Sequence, residues 1–524
     1  MFHVKQKEEK REERKEMETF FACLREKATE ISHSSFLIPH SFAQSANAVS
    51  RETITGVYMK KLFAILLSCL LLVSCAGGET QNTSGDVSEE ISAVQKEESS
   101  LPADPLAVLP DGQFEGAETV IWTTDLSVAD PAYAYDTALK KIMQERIDSI
   151  ENKFDTTIII EKKTAAEIKK AMDGGENCPD IVIMPSKDGA TASVNGLFTN
   201  MWSLPYFSEA AKALNGEAEE QTINNSLFML TGAFNFTQQN SLVVYANRDL
   251  IKAKGMRDPA YCVDDGTWTV EKMFEYINAV STVAGKPTGD IETDIFGYTA
   301  IGLDTKSLTN VFWNGSGIKY FGETMGKPLK AEFDYELGKQ ATAAAKKLME
   351  SSTKLTESSG VNSKQAFLDQ KVLFCVTYFN QFLGENKIDG FDWEILPMPK
   401  TSAEQENYYC PVTEALCIAV PKANEDSYSA GLVLSAWLLS SREIEPTLHR
   451  YYITHNSSDN ANTVMMYEVF NTVHYPLTEL YSSVYNINSV GRELIATSVT
   501  DNIDLGKYIR WQDAQMEQTA EKFK

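Results

Sequence analysis

Six histidines stand in the chain of 524 residues, and three of them, His449, His455 and His474, lie after residue 58. Their spacing matches no metal-ligand pattern, and lone histidines among tyrosines read as structural or surface groups. There is no Gly-x-Ser-x-Gly elbow, no His-Glu-x-x-His helix and no phosphate loop. No cofactor or metal is called for. A secreted glycan hydrolase remains the enzymatic alternative, because two carboxylates about 5–10 Å apart leave no signature in sequence spacing; turnover of a bound glycan would reveal it. Lys and Arg number 48 against 73 Asp and Glu, a net charge of −25. That surface repels phosphate backbones, so a nucleic-acid partner is excluded, and the plain reading of the acidity is solubility.

A second kind of chemistry is carried by one thiol. Met59-Lys60-Lys61 gives a basic start, and Leu62 to Val73 is an apolar run of about a dozen residues, too short to span a bilayer but suited to a signal-peptide core. It ends in Leu72-Val73-Ser74-Cys75-Ala76-Gly77-Gly78, which resembles the lipobox of bacterial lipoproteins. The resemblance implies lipidation of Cys75 as the first mature residue, with the protein held outside the cytoplasm at the cell membrane. Residues 1–58 then form a non-native upstream extension, with translation starting at Met59; the competing reading is a cytoplasmic tail on an uncleaved anchor. Residues 59–74 are the signal peptide and 75–115 a tether, since Glu79 to Pro110 is polar, rich in Ser, Glu, Gly, Asn and Pro, and poor in aromatics. The five remaining cysteines, Cys178, Cys262, Cys375, Cys410 and Cys417, cannot all pair within one chain. Cys375 and Cys417 sit in apolar runs and read as core residues.

The elements that would position a site alternate from Glu118 onward. Strands are expected at 119–122, 157–160 and 181–184, with helices at 136–152 and 164–172 between them. The apolar stripe of the first helix is Leu139, Ile142, Met143, Ile147 and Ile150. This βαβαβ opening predicts a parallel, doubly wound sheet whose ligands sit at the carboxyl ends of the strands, which points to Asp125 and to Ser186-Lys187-Asp188. Helices are expected at 270–280, 331–351 and 363–369, strands at 371–378, 393–396 and 416–420, and a mostly helical end from Ser427.

Five ordered segments resemble the bacterial extracellular solute-binding proteins, the large family that includes maltose-type sugar-binding proteins. They are Pro179-Asp180-Ile181-Val182; Leu242 to Leu250 with Lys254-Gly255-Met256; Gly266-Thr267-Trp268-Thr269-Val270-Glu271 with Phe274; Phe367 to Leu373; and Trp393 to Pro399. Thr267 or Thr269 can cap the helix that follows, and Trp268 reads as a packing residue. The resemblance implies an α/β fold of two lobes, of the periplasmic-binding-protein type, with ligand in the cleft between them. Carried onto this chain, lobe one is 116–244 with 370–413, and lobe two is 245–369 with 414–524. It further implies capture of a small solute, a carbohydrate first, for the permease subunits of an ABC importer, by a monomer that closes about a hinge. A sensor without a transporter is the alternative.

Cleft-lining candidates follow from the strand-end rule and from the resemblance together. They are Asp125; Ser186 and Lys187; Gln239 and Asn240, before the first crossing; Trp313 and Asn314, opening a Gly-Ser-Gly loop that resembles the family's pocket loop; Tyr378 and Asn380; and Tyr409 and Glu414. Asp125 is equally suited to cap a helix, Lys187 to be a solvated charge, and the intervening Phe379 to be core. Trp313 is the aromatic expected to meet the ligand. With Lys187 the one candidate cation, a neutral sugar is expected rather than an anion.

Overall fold

The computed structural model describes residues 104–484 and 521–523, apart from 113, 175–176, 215, 284–293, 304, 319–334, 356–361, 383–386 and 458. Residues 1–58, the expected signal peptide at 59–74, Cys75 and the expected tether as far as residue 103 lie outside the described residues. Among the described residues no helix is long and apolar enough to cross a membrane.

Two mixed sheets carry the chain. The first is built from β1 (Glu118–Thr123), β2 (Thr157–Lys162), β3 (Ile181–Pro185) and, much later, β10 (Leu416–Ala419), in the order β10-β3-β1-β2. β1 pairs in parallel with both β2 and β3, and β10 runs antiparallel to β3. The second contains β4 (Leu242–Asn247), β5 (Phe296–Ala300), β6 (Lys354–Leu355), β7 (Val372–Tyr378) and β8 (Trp393–Leu396), in the order β6-β5-β7-β4-β8. β4 is antiparallel to β7 and β8, while β5 is parallel to β6 and β7.

Sheet membership corrects the expected division into lobes. Residues 370–413 were assigned to lobe one, yet β7 and β8 pair with β4 in the second sheet. The start of 414–524 was assigned to lobe two, yet β10 completes the first sheet. The reason is physical: Val372–Tyr378 is buried at nearly every position, so it needs neighbours on both edges, and β4 and β5 supply them.

The longer helices cover these sheets. They are α1 (Thr137–Phe154), α2 (Ala165–Gly174), α3 (Ser186–Val194), α4 (Val270–Val280), α5 (Thr305–Asn314), α6 (Tyr335–Met349), α7 (Ser427–Leu439), α8 (Ile444–Asn456) and α9 (Asn460–Asn471). Asp136 caps α1 by accepting from Ala138 N and Leu139 N, and the expected stripe faces the core. Thr269, not Thr267, caps α4 by accepting from Lys272 N at 3.1 Å. Trp268 beside it is fully buried, its indole N–H donating to Pro397 O at 2.9 Å. α7 is buried almost all round and packs on α1, as α8 does; α9 lies on β8 of the second sheet.

The end of the expected tether is ordered. Leu106 and Leu109 are each 3% exposed, Phe114 stacks on Phe154 with centroids 5.2 Å apart, and Asp111 pairs with Lys153 at 2.8 Å. Two leucines and a phenylalanine give this stretch enough apolar area to offset its ordering entropy.

Candidate functional site

Three chain segments run between the two sheets and are bonded side by side. Ser241, just before β4, bridges to Val412. β9 (Cys410–Pro411) pairs in parallel with β11 (Val473–His474), and Val412 N donates to His474 O at 2.8 Å. The segments differ widely in sequence position but share one narrow ribbon, the natural place for a hinge.

Several sequence candidates meet on this ribbon. Ser186, at the carboxyl end of β3, is buried and donates its backbone N–H to Ala415 O at 2.8 Å. The next residue back, Glu414, is exposed, and its carbonyl accepts from Asn240 Nδ2. Asn240 Oδ1 in turn accepts from Asn380 Nδ2 at 3.2 Å. Ser186, Asn240, Asn380 and Glu414 therefore form one continuous polar strip joining the ends of both sheets. Tyr378 closes it, half-buried, with its ring against Gly302; a Cβ there would come within 3.2 Å of the ring. Phe379 is core, as its duller reading held, packed on Tyr452 and Phe470.

A second strip runs from Gln239, which accepts from the Tyr452 hydroxyl at 2.6 Å. Tyr452 adjoins Tyr135, and Tyr135 faces Asp125. Asp125 is exposed and caps a turn by accepting from Ser127 N at 2.9 Å, so its capping role holds. Lys187 is exposed too.

Trp313 is a correction. It lies on α5 rather than on a flexible loop and is 0% exposed. Asn314 is 2% exposed, its amide donating to Glu479 Oε1 at 3.2 Å and its oxygen accepting from Thr478. Neither can present itself to a cleft ligand in this arrangement. Tyr409 is half-buried: its ring covers Gly317, where a Cβ would approach within 2.1 Å, and it meets His474 edge-on at 5.4 Å. Gly317 also has φ +70°, a conformation only glycine adopts cheaply. Gly317→Ala should therefore displace the Tyr409 ring and destabilise the protein by about 1–3 kcal/mol, the usual range for overpacking; urea unfolding would measure it, and an unchanged midpoint would show that the ring yields without cost.

The sequence reading missed the aromatic shelf beside the second strip. Tyr133 is 57% and Tyr135 40% exposed, and Tyr451 packs on Tyr135 at 5.3 Å and on His455 at 4.5 Å. The available signal was Tyr133 and Tyr135 alternating just ahead of the Asp136 cap, where apolar rings have no core to enter. Large exposed rings grouped at one place mark recognition surfaces.

Burial governs the interior thiols. The Cys375, Cys410 and Cys417 thiols are raised by burial, those of Cys410 to about 11 and Cys417 to about 12, which fits packing rather than reactive roles. Among the described residues no group of acidic, histidine or cysteine side chains is arranged to hold a metal ion.

The described residues thus form two mixed α/β sheets linked by the three-segment ribbon. Residues 145–458 match the model of the bacterial extracellular solute-binding protein family, and the chain belongs to that family. Solved structures with a similar fold include the sugar-binding protein MalE of Xanthomonas citri, at 11% identity over 77% of this chain and 98% of that one, with a TM-score of 0.49. The cyclic α-maltosyl-1,6-maltose binding protein of Arthrobacter globiformis gives 12%, 78%, 99% and 0.49 for the same quantities. UgpB of Mycobacterium tuberculosis, in complex with glycerophosphocholine, gives 12%, 77%, 98% and 0.47. No curated protein matches the chain.

Proposed function

We propose that this protein captures a small neutral carbohydrate between its two sheets, by closure about the three-segment ribbon, and hands it to an ABC-type permease. The observation that carries the reading is the meeting of an amide strip with an aromatic shelf. Asn240, Asn380 and Glu414 offer planar donors and acceptors, Tyr135 and Tyr451 offer ring faces beside that ribbon's partner Tyr452, and Tyr133 stands exposed two residues before Tyr135. Asp125, Ser186, Lys187, Gln239 and Tyr378 complete the lining. Sugars need both kinds of group, and the fixed amides lower the ordering cost of binding. The same reading takes the protein as a monomer that binds without turnover. It also takes the lipid on Cys75 as its membrane tether; intact-mass analysis of the native protein should show the mature chain starting at an acylated Cys75, and a mature peptide from before Met59 would refute it.

The functional test is a thermal-shift screen of the chain from about residue 79 onward against neutral mono- and oligosaccharides, polyols and sugar phosphates. A ligand at 100 times its Kd adds about 2.7 kcal/mol, a rise of a few degrees for a chain of this size. Tyr135→Ala and Asn240→Ala should each weaken the best hit roughly tenfold or more, the loss expected for one well-placed contact. A phosphate ester that shifts the transition while every neutral sugar fails would overturn the assignment.

A further inference from the structure

Asn314 is absent from the cleft because its side chain is committed to a different contact. It ends α5, which packs along α6 and belongs to the second-sheet side. Gly302, between β5 and α5, lies against the Tyr378 ring of β7, and Gln405 Nε2 donates to Gly315 O at 2.9 Å just past the helix end. The partners of Asn314 stand on the short helix Leu477–Leu480, which follows β11. That helix is held on the first-sheet side. It packs on α3, and Ser483 just beyond it donates to Lys187 O in the first turn of α3 and accepts from Thr191 Oγ1 at 2.9 Å.

The contact has one polarity. Asn314 Nδ2 donates to Glu479 Oε1 at 3.2 Å, and Thr478 Oγ1 donates to Asn314 Oδ1 at 3.3 Å. Turned over, the carboxamide would set its oxygen against the Glu479 carboxyl. Asn314, Thr478 and Glu479 are 2%, 1% and 6% exposed, so solvent does not compete for these bonds. Both join side chains across the two sides, and neither is part of the ribbon's backbone pairing.

We propose that Asn314, Thr478 and Glu479 are the latch of the hinge: their bonds hold α5 against the helix Leu477–Leu480 when the two sides close on a solute, and their loss opens the sides and weakens capture. They are positioning residues, acting on the solute only through closure. A hydrogen bond weakens steeply as its partners separate and turn, so rotation of one side against the other strains the latch early. Parting also admits water to the freed amide, hydroxyl and carboxyl, which avoids the cost of leaving them buried and unpaired. The latch therefore biases a balance between two arrangements instead of locking one. The apparent Kd is the intrinsic Kd divided by the fraction of protein in the competent arrangement, so a weaker latch lowers affinity with the cleft lining untouched.

The latch rests on the closure of the proposed function, but its test needs no solute and is separate from the sugar screen. It is the distance between spin or fluorescent labels at the exposed positions 170 in α2 and 340 in α6, in the ligand-free protein. Asn314→Asp sets a second carboxyl against Glu479 and should move the distance distribution away from the wild type. Glu479→Gln, whose amide oxygen still accepts, should leave it in place. The Asn314→Asp, Glu479→Gln double variant should bring it back, because the new amide donates to the new carboxylate. Thr478→Val removes a single donor at nearly the same shape and should move the distribution by less; if Asn314→Asp fails to fold, this variant decides alone. Affinity for the best sugar should follow the same ranking, with Asn314→Asp weaker by about tenfold, the loss of one good bond. A flat sugar screen beside a moved distribution would sink the sugar reading and leave the latch standing. A wild-type distribution in Asn314→Asp, or a double variant that stays displaced, would overturn the latch.

Discussion

Trp313→Ala is expected to cost about 3–5 kcal/mol of stability, the range for truncating a fully buried tryptophan. The side chain is 0% exposed on α5, flanked by the buried Phe312 and Val311, and α5 packs along the length of α6. Removing the indole leaves a cavity that helix packing can fill only in part. Urea unfolding of the ligand-free variant measures the loss. A variant with wild-type stability and weakened sugar affinity would instead return Trp313 to the cleft.

Arg248→Met should be comparably damaging. The guanidinium is 11% exposed and gathers three carboxylates from separate parts of the chain: Asp258 at 2.8 Å, Asp392 at 3.1 Å and Asp459, the cap of α9, at 2.6 Å. Glu394 on β8 is fully buried nearby, its carboxyl held well above the ordinary range by burial and then by Asp258. Losing the arginine leaves its carboxylates uncompensated, which costs about 3 kcal/mol, the lower end of the range for a buried pair because Asp392 and Asp459 are 27% and 41% exposed. Without the arginine the Glu394 carboxyl pKa rises further and that of Asp459 loses a partner that lowers it, so the variant's stability is retained at low pH and lost as pH increases. The variant's melting temperature should accordingly recover part of its deficit at about pH 5 relative to about pH 7.5. Equal deficits at both pH values would place the loss in packing of the side-chain stem.

The elements were largely legible in the sequence because their signals are local. Asp136 and the Leu139–Ile150 stripe define α1, and the span 270–280 is fixed by the Thr269 cap and the buried face from Val270 to Val280. Which strands share a sheet was not legible. β10 reads as an apolar run wherever it sits, and only its backbone bonds to β3 assign it. For the candidate site, strand-end reasoning pointed to Ser186 and Asp125 and the crossings to Asn240 and Glu414, and hydrogen bonds link Ser186, Asn240 and Glu414 along one strip. Trp313 misled because a tryptophan beside an Asn-Gly-Ser-Gly stretch looks like a loop residue, whereas Trp313 and Asn314 are the buried last residues of α5 and only Gly315–Gly317 turn. The Tyr133–Tyr135 shelf was missed because exposure depends on what fails to pack over a residue, and no local pattern encodes that.

The late arrival of β10 has a consequence for how the chain is made. Emerging from the ribosome, β1, β2 and β3 can pair at once, but the outer edge of β3 stays open until Leu416 appears, over two hundred residues beyond Pro185. Contacts of such high sequence separation slow folding and leave an aggregation-prone edge in the interim. A chain cut anywhere between Pro185 and Leu416 therefore lacks β10, and limited synthesis yields an unfinished first sheet rather than a free-standing lobe.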